Sequence, residues 1–241
     1  SLHTRLQYLA FRDLKAAVEA NRAKAGGIVV VDVTTGEILA LANWPTYNPN
    51  RRDKVGRDAM RNRALTDVFE PGSTLKPFTV AAALDAGKVR PETVIQTGAG
   101  ALTIGAHTIH DVHPAGALTV EQVIQKSSNV GAAKIALGLP PETMWRLFAD
   151  VGFGAPPKTG YPGEVAGRLR PAKSWKPIEQ ATMAYGHGIS VNLVQLARAY
   201  TMFATDGEVK PVTLFRTDGH VAGRPAIRPE TALAVRRMLE L

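Results

Sequence analysis

The chain has 241 residues, 45% of them hydrophobic, which is enough for one domain, or one domain with a subdomain, around a sizeable core. It contains no cysteine, so a disulfide framework and cysteine metal sites are excluded. A net charge of +8 requires a phosphate-binding surface to be weighed, while the longest apolar run, Ile28 to Val33, is far too short to span a bilayer, and no signal peptide is visible.

Leu6, Leu9, Ala10, Leu14, Ala17 and Val18 recur at helical spacing and predict an amphipathic first helix that ends near Gly26-Gly27. Ile28 to Val31 and Ile38 to Ala42 predict a hairpin around Thr34-Thr35-Gly36. The near-continuous apolar first strand implies that both faces of its sheet are covered. Six of the thirteen residues from Arg51 to Arg63 are basic: Arg51, Arg52, Lys54, Arg57, Arg61 and Arg63. No aromatic residue interleaves them and no groove-reading motif accompanies them. They read as a solvated face or a contact with anionic polymers, and no nucleic-acid partner is expected.

Phe78 to Leu84 reads as a helix that Gly87 stops, and a smaller hairpin is predicted from Ala101 to His110, turning at Gly105-Ala106. Thr119 and Gln122 form a capping box for a helix whose apolar face is Val120, Val123 and Ile124. Helical runs follow from Val130 through Leu137, from Leu193 to Phe203 behind Asn192 and Gln195, and from Pro229 to Leu241. No repeat, low-complexity tract or linker interrupts them, and the class is a helix-rich α/β (α+β) fold. His107, His110 and His113, with Asp111 nearby, fall on a hairpin and loop without a helical His-x-x-x-His pair. No metal or cofactor is expected from them. Trp44, Trp145 and Trp175 read as packing residues.

The chemistry concentrates at Ser73 and Lys76, in Glu70-Pro71-Gly72-Ser73-Thr74-Leu75-Lys76-Pro77-Phe78. A serine hydroxyl is a poor nucleophile unless a base lies within hydrogen-bond reach. Positions i and i+3 share a helix face. Pro71 and Gly72 break the chain just before Ser73, so the serine is expected at a helix N-terminus, where free backbone N–H groups favour developing negative charge. A helix N-cap serine with a solvated lysine one turn on would give the same pattern. A second polar group, Ser127-Ser128-Asn129, lies at the predicted junction of two helices, where side chains can point into a cleft or simply cap. Ser190-Val191-Asn192 competes with it, but Asn192 and Gln195 read better as a capping box.

Ser-x-x-Lys followed by Ser-x-Asn gives two of the three elements of the penicillin-recognising serine enzymes. Asp67 to Pro77, Gln125 to Gly131, Val31 to Ala40, Pro162-Gly163-Glu164 and Gln195 to Arg198 resemble the septal, class B penicillin-binding proteins, from about residue 5 to the end. The resemblance implies a penicillin-binding transpeptidase fold, shared with serine β-lactamases, over residues 1–241. It places a helical subdomain at roughly 65–190. It also implies a D,D-transpeptidase that crosslinks peptidoglycan stem peptides through a Ser73 acyl-enzyme and is a target of β-lactams. Lys76 would be the base, Ser127 a proton relay to the departing D-alanine, and Asn129 the group that fixes the substrate amide. The parent would sit at the periplasmic face of the inner membrane, with an N-terminal anchor and a pedestal domain ahead of this chain, among division-complex membrane proteins. The absence of cysteine fits a bacterial envelope protein. A serine β-lactamase shares the motifs but needs a dedicated water-activating base, whose signature is not found. A β-lactam-binding or division scaffold without turnover is the non-enzyme alternative.

The third family element is a Lys-Thr-Gly or Lys-Ser-Gly on a strand facing the serine. Lys158-Thr159-Gly160 has the letters, yet it follows Pro156-Pro157 and precedes Pro162, which suits a turn and forbids a central strand. The functional motif is expected beyond Leu241, with three strands and the last helix. His187, in Tyr185-Gly186-His187-Gly188, is expected at most to line the groove. Residues 1–241 alone would lack one oxyanion donor and one groove wall, so little or no turnover is expected of them. Incubation of purified 1–241 with a labelled penicillin checks this, and rapid acylation would contradict it.

Overall fold

The computed structural model describes residues 2–48, 50 and 56–240. In chain order its elements begin with α1 (Thr4–Ala20), β1 (Gly26–Val31), β2 (Ile38–Trp44), α2 (Arg63–Thr66), α3 (Lys76–Asp85), β3 (Val94–Gly98) and β4 (Ala101–Ile104). They continue with β5 (His107–His110), β6 (Gly116–Thr119), α4 (Val120–Gln125), α5 (Asn129–Leu137), α6 (Pro141–Asp150) and α7 (Pro177–Met183). The last are α8 (Leu193–Ala204), β7 (Glu208–Val209), β8 (Arg224–Pro225) and α9 (Pro229–Leu239).

Helix α1 opens on His3, whose Nδ1 accepts the Leu6 N–H, and buries Ala10, Leu14 and Val18 against the antiparallel pair β1–β2. It ends at Ala20, before the predicted stop. Arg22 takes a left-handed φ of 50°, and the Arg22 and Ala23 amides return to the Glu19 and Val18 carbonyls. Gly26 and Gly27 begin β1 instead of ending the helix. A Cβ on Gly26 would fall 2.9 Å from side-chain carbons of Leu14 and Val18, so glycine lets the helix lie close on the sheet. The opposite face meets α2 and α8 through Ile38, Ala64, Leu65 and Val194. Both faces are covered as the apolar first strand implied, although β1 is half-buried along its length. Of the basic stretch, residues 51–55 lie outside the described residues. Arg61 and Arg63 both pair with Asp67, Arg63 Nη1 lying 2.8 Å from Oδ2.

Helix α3 is buried at every position from Lys76 to Leu84, which is why its sequence is apolar nearly all round rather than striped. Helices α4, α5, α6 and α9 pack about it. Phe78 anchors the contact, its ring centroid 5.6 Å from that of Phe153, 5.1 Å from Tyr200 and 5.0 Å from Phe203. The hairpin β4–β5 pairs Ala101 with His110 and Ile104 with His107, turning where predicted. The ladder β3–β6 was not foreseen; its strands are short and largely exposed, so they carry little apolar signal. The described residues form four small sheets, each a two-stranded ladder.

Helices α3 and α4 share one left-handed termination. At the end of α3, Gly87 has φ +64°, its N–H donates to the Leu84 carbonyl, and the Lys88 N–H donates to Ala83. This left-handed termination suits glycine, which has no Cβ to clash. Helix α4 ends in the same way: the Ser127 N–H donates to Ile124 and the Ser128 N–H to Val123, but the left-handed residue, φ +53°, is Ser127. Changing Ser127 to glycine or to alanine removes the same hydroxyl, so the two variants differ by one Cβ at a left-handed position. S127G is expected to be more stable than S127A by about 1 kcal/mol in urea denaturation, and equal stability would show that no strain resides there.

Candidate active site

Ser73 sits in a 3-10 turn, Gly72–Leu75, that runs straight into α3 at Lys76. The helix thus starts two residues ahead of the predicted Phe78, because Pro77 is accepted in a first turn where its missing N–H is not needed. In a 3-10 turn, residues i and i+3 are eclipsed. The Ser73 hydroxyl and the Lys76 amine are accordingly in line, with Nζ 2.9 Å from Oγ. Ser73 is exposed, whereas Lys76 is only 2% exposed. An exposed hydroxyl therefore stands over a sequestered amine.

Ser127 reaches the same amine from the loop between α4 and α5. Its left-handed backbone turns both of its oxygens inward, so Lys76 Nζ lies 2.6 Å from the Ser127 carbonyl oxygen and 2.9 Å from Oγ. Three oxygens thus surround one amine. As an ammonium, Lys76 donates to all three; as a neutral amine it donates to the two Ser127 oxygens and offers its lone pair to the Ser73 O–H. Burial pushes its pKa down from the usual 10.5 to about 8, against the opposing pull of the Asp111 carboxylate. At pH 7 this leaves roughly one amine in ten neutral, against fewer than about one in a thousand for an ordinary lysine. Base chemistry at neutral pH depends on that difference.

Asn129 is the first residue of α5, on the same loop, and its Nδ2 donates to the His110 carbonyl at 3.0 Å. It makes no hydrogen bond to the other three side chains among the described residues, and the chemistry it offers a ligand is its Oδ1 acceptor. The cap of α5 is neither Ser127 nor Asn129 but Ser128, whose Oγ accepts the Gly131 N–H at 2.8 Å. Ser128 in turn donates to Asp111 Oδ2 at 2.7 Å, and Asp111 Oδ1 accepts the Val130 N–H at 2.9 Å. Sequence reasoning missed this bracket, since an aspartate just past a hairpin has many ordinary uses; only its proximity to the predicted Ser-x-Asn loop would have signalled it. Among the described residues, no group of three His, Asp or Glu side chains is arranged for a metal ion.

Lys158-Thr159-Gly160 forms a turn around one carboxylate. The Lys158 and Thr159 N–H groups donate to Glu164 at 2.8 Å, the Tyr161 N–H donates at 3.1 Å, and the Thr159 hydroxyl also donates to it. Lys158 has φ +61° and belongs to no strand. Asn192 and Gln195 complete a capping box on α8, and Gln195 Nε2 also donates to the Gly152, Ala155 and Ala166 carbonyls. Both groups are structural. The serine turn is further braced by Tyr200, whose hydroxyl donates to the Thr74 carbonyl at 2.7 Å.

Comparison with known proteins identifies the family. The penicillin binding protein transpeptidase domain matches residues 26–241. A probable peptidoglycan D,D-transpeptidase PenA of Neisseria flavescens is 45% identical over 99% of this chain and 59% of its own length. The peptidoglycan D,D-transpeptidase FtsI of Escherichia coli K12 is 41% identical over 100% of this chain and 40% of its own. The chain therefore spans about two-fifths to three-fifths of these curated relatives. Among solved structures, a peptidoglycan glycosyltransferase from Burkholderia ambifaria superposes with a TM-score of 0.91 at 54% identity, covering 99% of this chain and 72% of that one. The apo transpeptidase domain of penicillin-binding protein 3 from Burkholderia pseudomallei gives 0.90 at 50%, covering 99% and 68%. By the match over residues 26–241 and the identity to these relatives, the chain belongs to the penicillin-binding protein transpeptidase domain family.

Proposed function

We propose that the protein carrying this chain is a peptidoglycan D,D-transpeptidase acting in septum synthesis, with Ser73 as acyl nucleophile, Lys76 as its base, Ser127 as relay and Asn129 as substrate-binding amide. The observation that carries the reading is the buried Lys76 amine held between the Ser73 and Ser127 hydroxyls. The names of the PenA and FtsI relatives support the substrate class.

Neutral Lys76 accepts the Ser73 proton as Oγ attacks the carbonyl of the penultimate D-alanine of a stem peptide. The Ser73 N–H, in a first turn where amides lack intrahelical partners, is placed to donate to the oxyanion. The proton passes from Lys76 through the Ser127 hydroxyl, 2.9 Å away, to the departing D-alanine amine. Asn129 Oδ1 accepts a substrate N–H. An amine of a neighbouring stem peptide then takes the acyl group. β-Lactams would acylate the same oxygen and stay. No helix among the described residues is long and apolar enough to cross a membrane. A periplasmic setting at the inner membrane, among division proteins, is part of this proposal.

Two measurements test it. In the full-length protein, S73A is expected to abolish covalent labelling by a fluorescent penicillin, and retained labelling would remove Ser73 from its role. The acylation rate should also climb with pH, by about tenfold per unit below pH 8, and level off above it. The sign follows from the base being the neutral amine, whose pKa is about 8. A flat profile between pH 6 and 9 would exclude Lys76 as the base.

A further inference from the structure

The wall beside the nucleophile is a glycine-rich turn that follows α7, and it meets the serine turn backbone on backbone. Gly186, φ +88°, lies so close that a Cβ there would fall 2.2 Å from the Gly72 carbonyl oxygen. No side chain fills this contact, and the Gly72 N–H reaches the Gly186 carbonyl only at 3.4 Å. A junction of two glycines has no packing of its own to hold it. What spans it is the carboxylate of Glu70, three residues before Ser73.

Glu70 Oε1 accepts the Gly188 N–H at 2.8 Å, and Oε2 lies 2.9 Å from His187 Nδ1. The Gly188 N–H, and then His187, hold the Glu70 carboxyl below the usual carboxylate range, so it is ionised at neutral pH and both bonds are charge-assisted. The imidazole is itself steadied by the Tyr185 ring, edge-on at 5.3 Å between centroids. On one side of this clasp, Phe69 and Val191 exchange backbone hydrogen bonds at 3.0 Å. On the other, the Thr79 hydroxyl donates to the Ala184 carbonyl at 2.9 Å. Segments 184–191 and 69–79 are therefore laced along their length, with Glu70 as the ionic stitch nearest the nucleophile.

We propose that Glu70 is a positioning residue for acyl transfer: it clamps the Gly186–Gly188 turn onto Gly72 and so fixes the attitude of the Ser73 hydroxyl and N–H. His187 forms the second arm of the clamp. The inference rests on Ser73 being the acyl nucleophile. It assigns no proton transfer to Glu70, whose side chain acts through the turn.

The test measures penicillin acylation of the full-length protein with initial binding resolved from the chemical step. E70A is expected to slow the acylation step by about 10- to 100-fold, the cost of a displaced nucleophile, while initial binding and the melting temperature stay near wild type. E70Q, which still accepts the Gly188 N–H and can donate to Nδ1, should restore most of the rate. Acylation by E70A at the wild-type rate, or a loss confined to initial binding, overturns the proposal. So does E70Q being as slow as E70A. Should E70A fail to fold, H187A decides: a severalfold slower acylation step supports the clamp and a wild-type rate removes it. Failure of the wild-type protein to acylate at Ser73 would instead refute the nucleophile assignment.

Discussion

Everything at this site depends on one buried amine. Lys76 is withdrawn from water, and its charge is disfavoured by about 3 kcal/mol relative to a free lysine. That cost is tolerable only because three oxygens surround the nitrogen. The surroundings explain how the amine is kept in place. Lys76 is the first residue of a helix buried on all sides, so its backbone cannot drift without disturbing the Phe78 cluster. The opposing Ser127 is held by a helix end whose geometry glycine would adopt more cheaply. A strained serine at such a position is understandable when both of its oxygens are in use.

The site is assembled from segments distant in sequence, and the links between them are mostly polar. Asp111 joins the hairpin β4–β5 to the Ser127 loop, and Asn129 returns a bond to the same hairpin. Tyr200 braces the serine turn from α8. The hydrophobic core fixes where α3 lies, while these directional bonds fix how the site residues face one another.

What could be read beforehand followed from local rules. The i, i+3 spacing of Ser73 and Lys76 behind Pro71-Gly72 gave the pair, and Thr119 with Gln122 gave the start of α4 and hence the place of Ser127. Pro156, Pro157 and Pro162 kept Lys158-Thr159-Gly160 out of a strand, and the Glu164 carboxylate at the centre of that turn supplies the reason for its shape. What could not be read was long-range. Asp111 faces Ser128 only after a hairpin folds back, Glu70 meets Gly188 across 118 residues, and Gly26 serves a helix packed above it rather than a helix end. Each depends on tertiary proximity, which no periodicity encodes.

The Lys76 amine touches Ser127 through a main-chain oxygen as well as a hydroxyl. A carbonyl belongs to the peptide unit and not to the side chain, so no substitution at position 127 deletes it. Half of that grip is therefore beyond the reach of any substitution at position 127, and loosening it takes a change elsewhere that moves the loop.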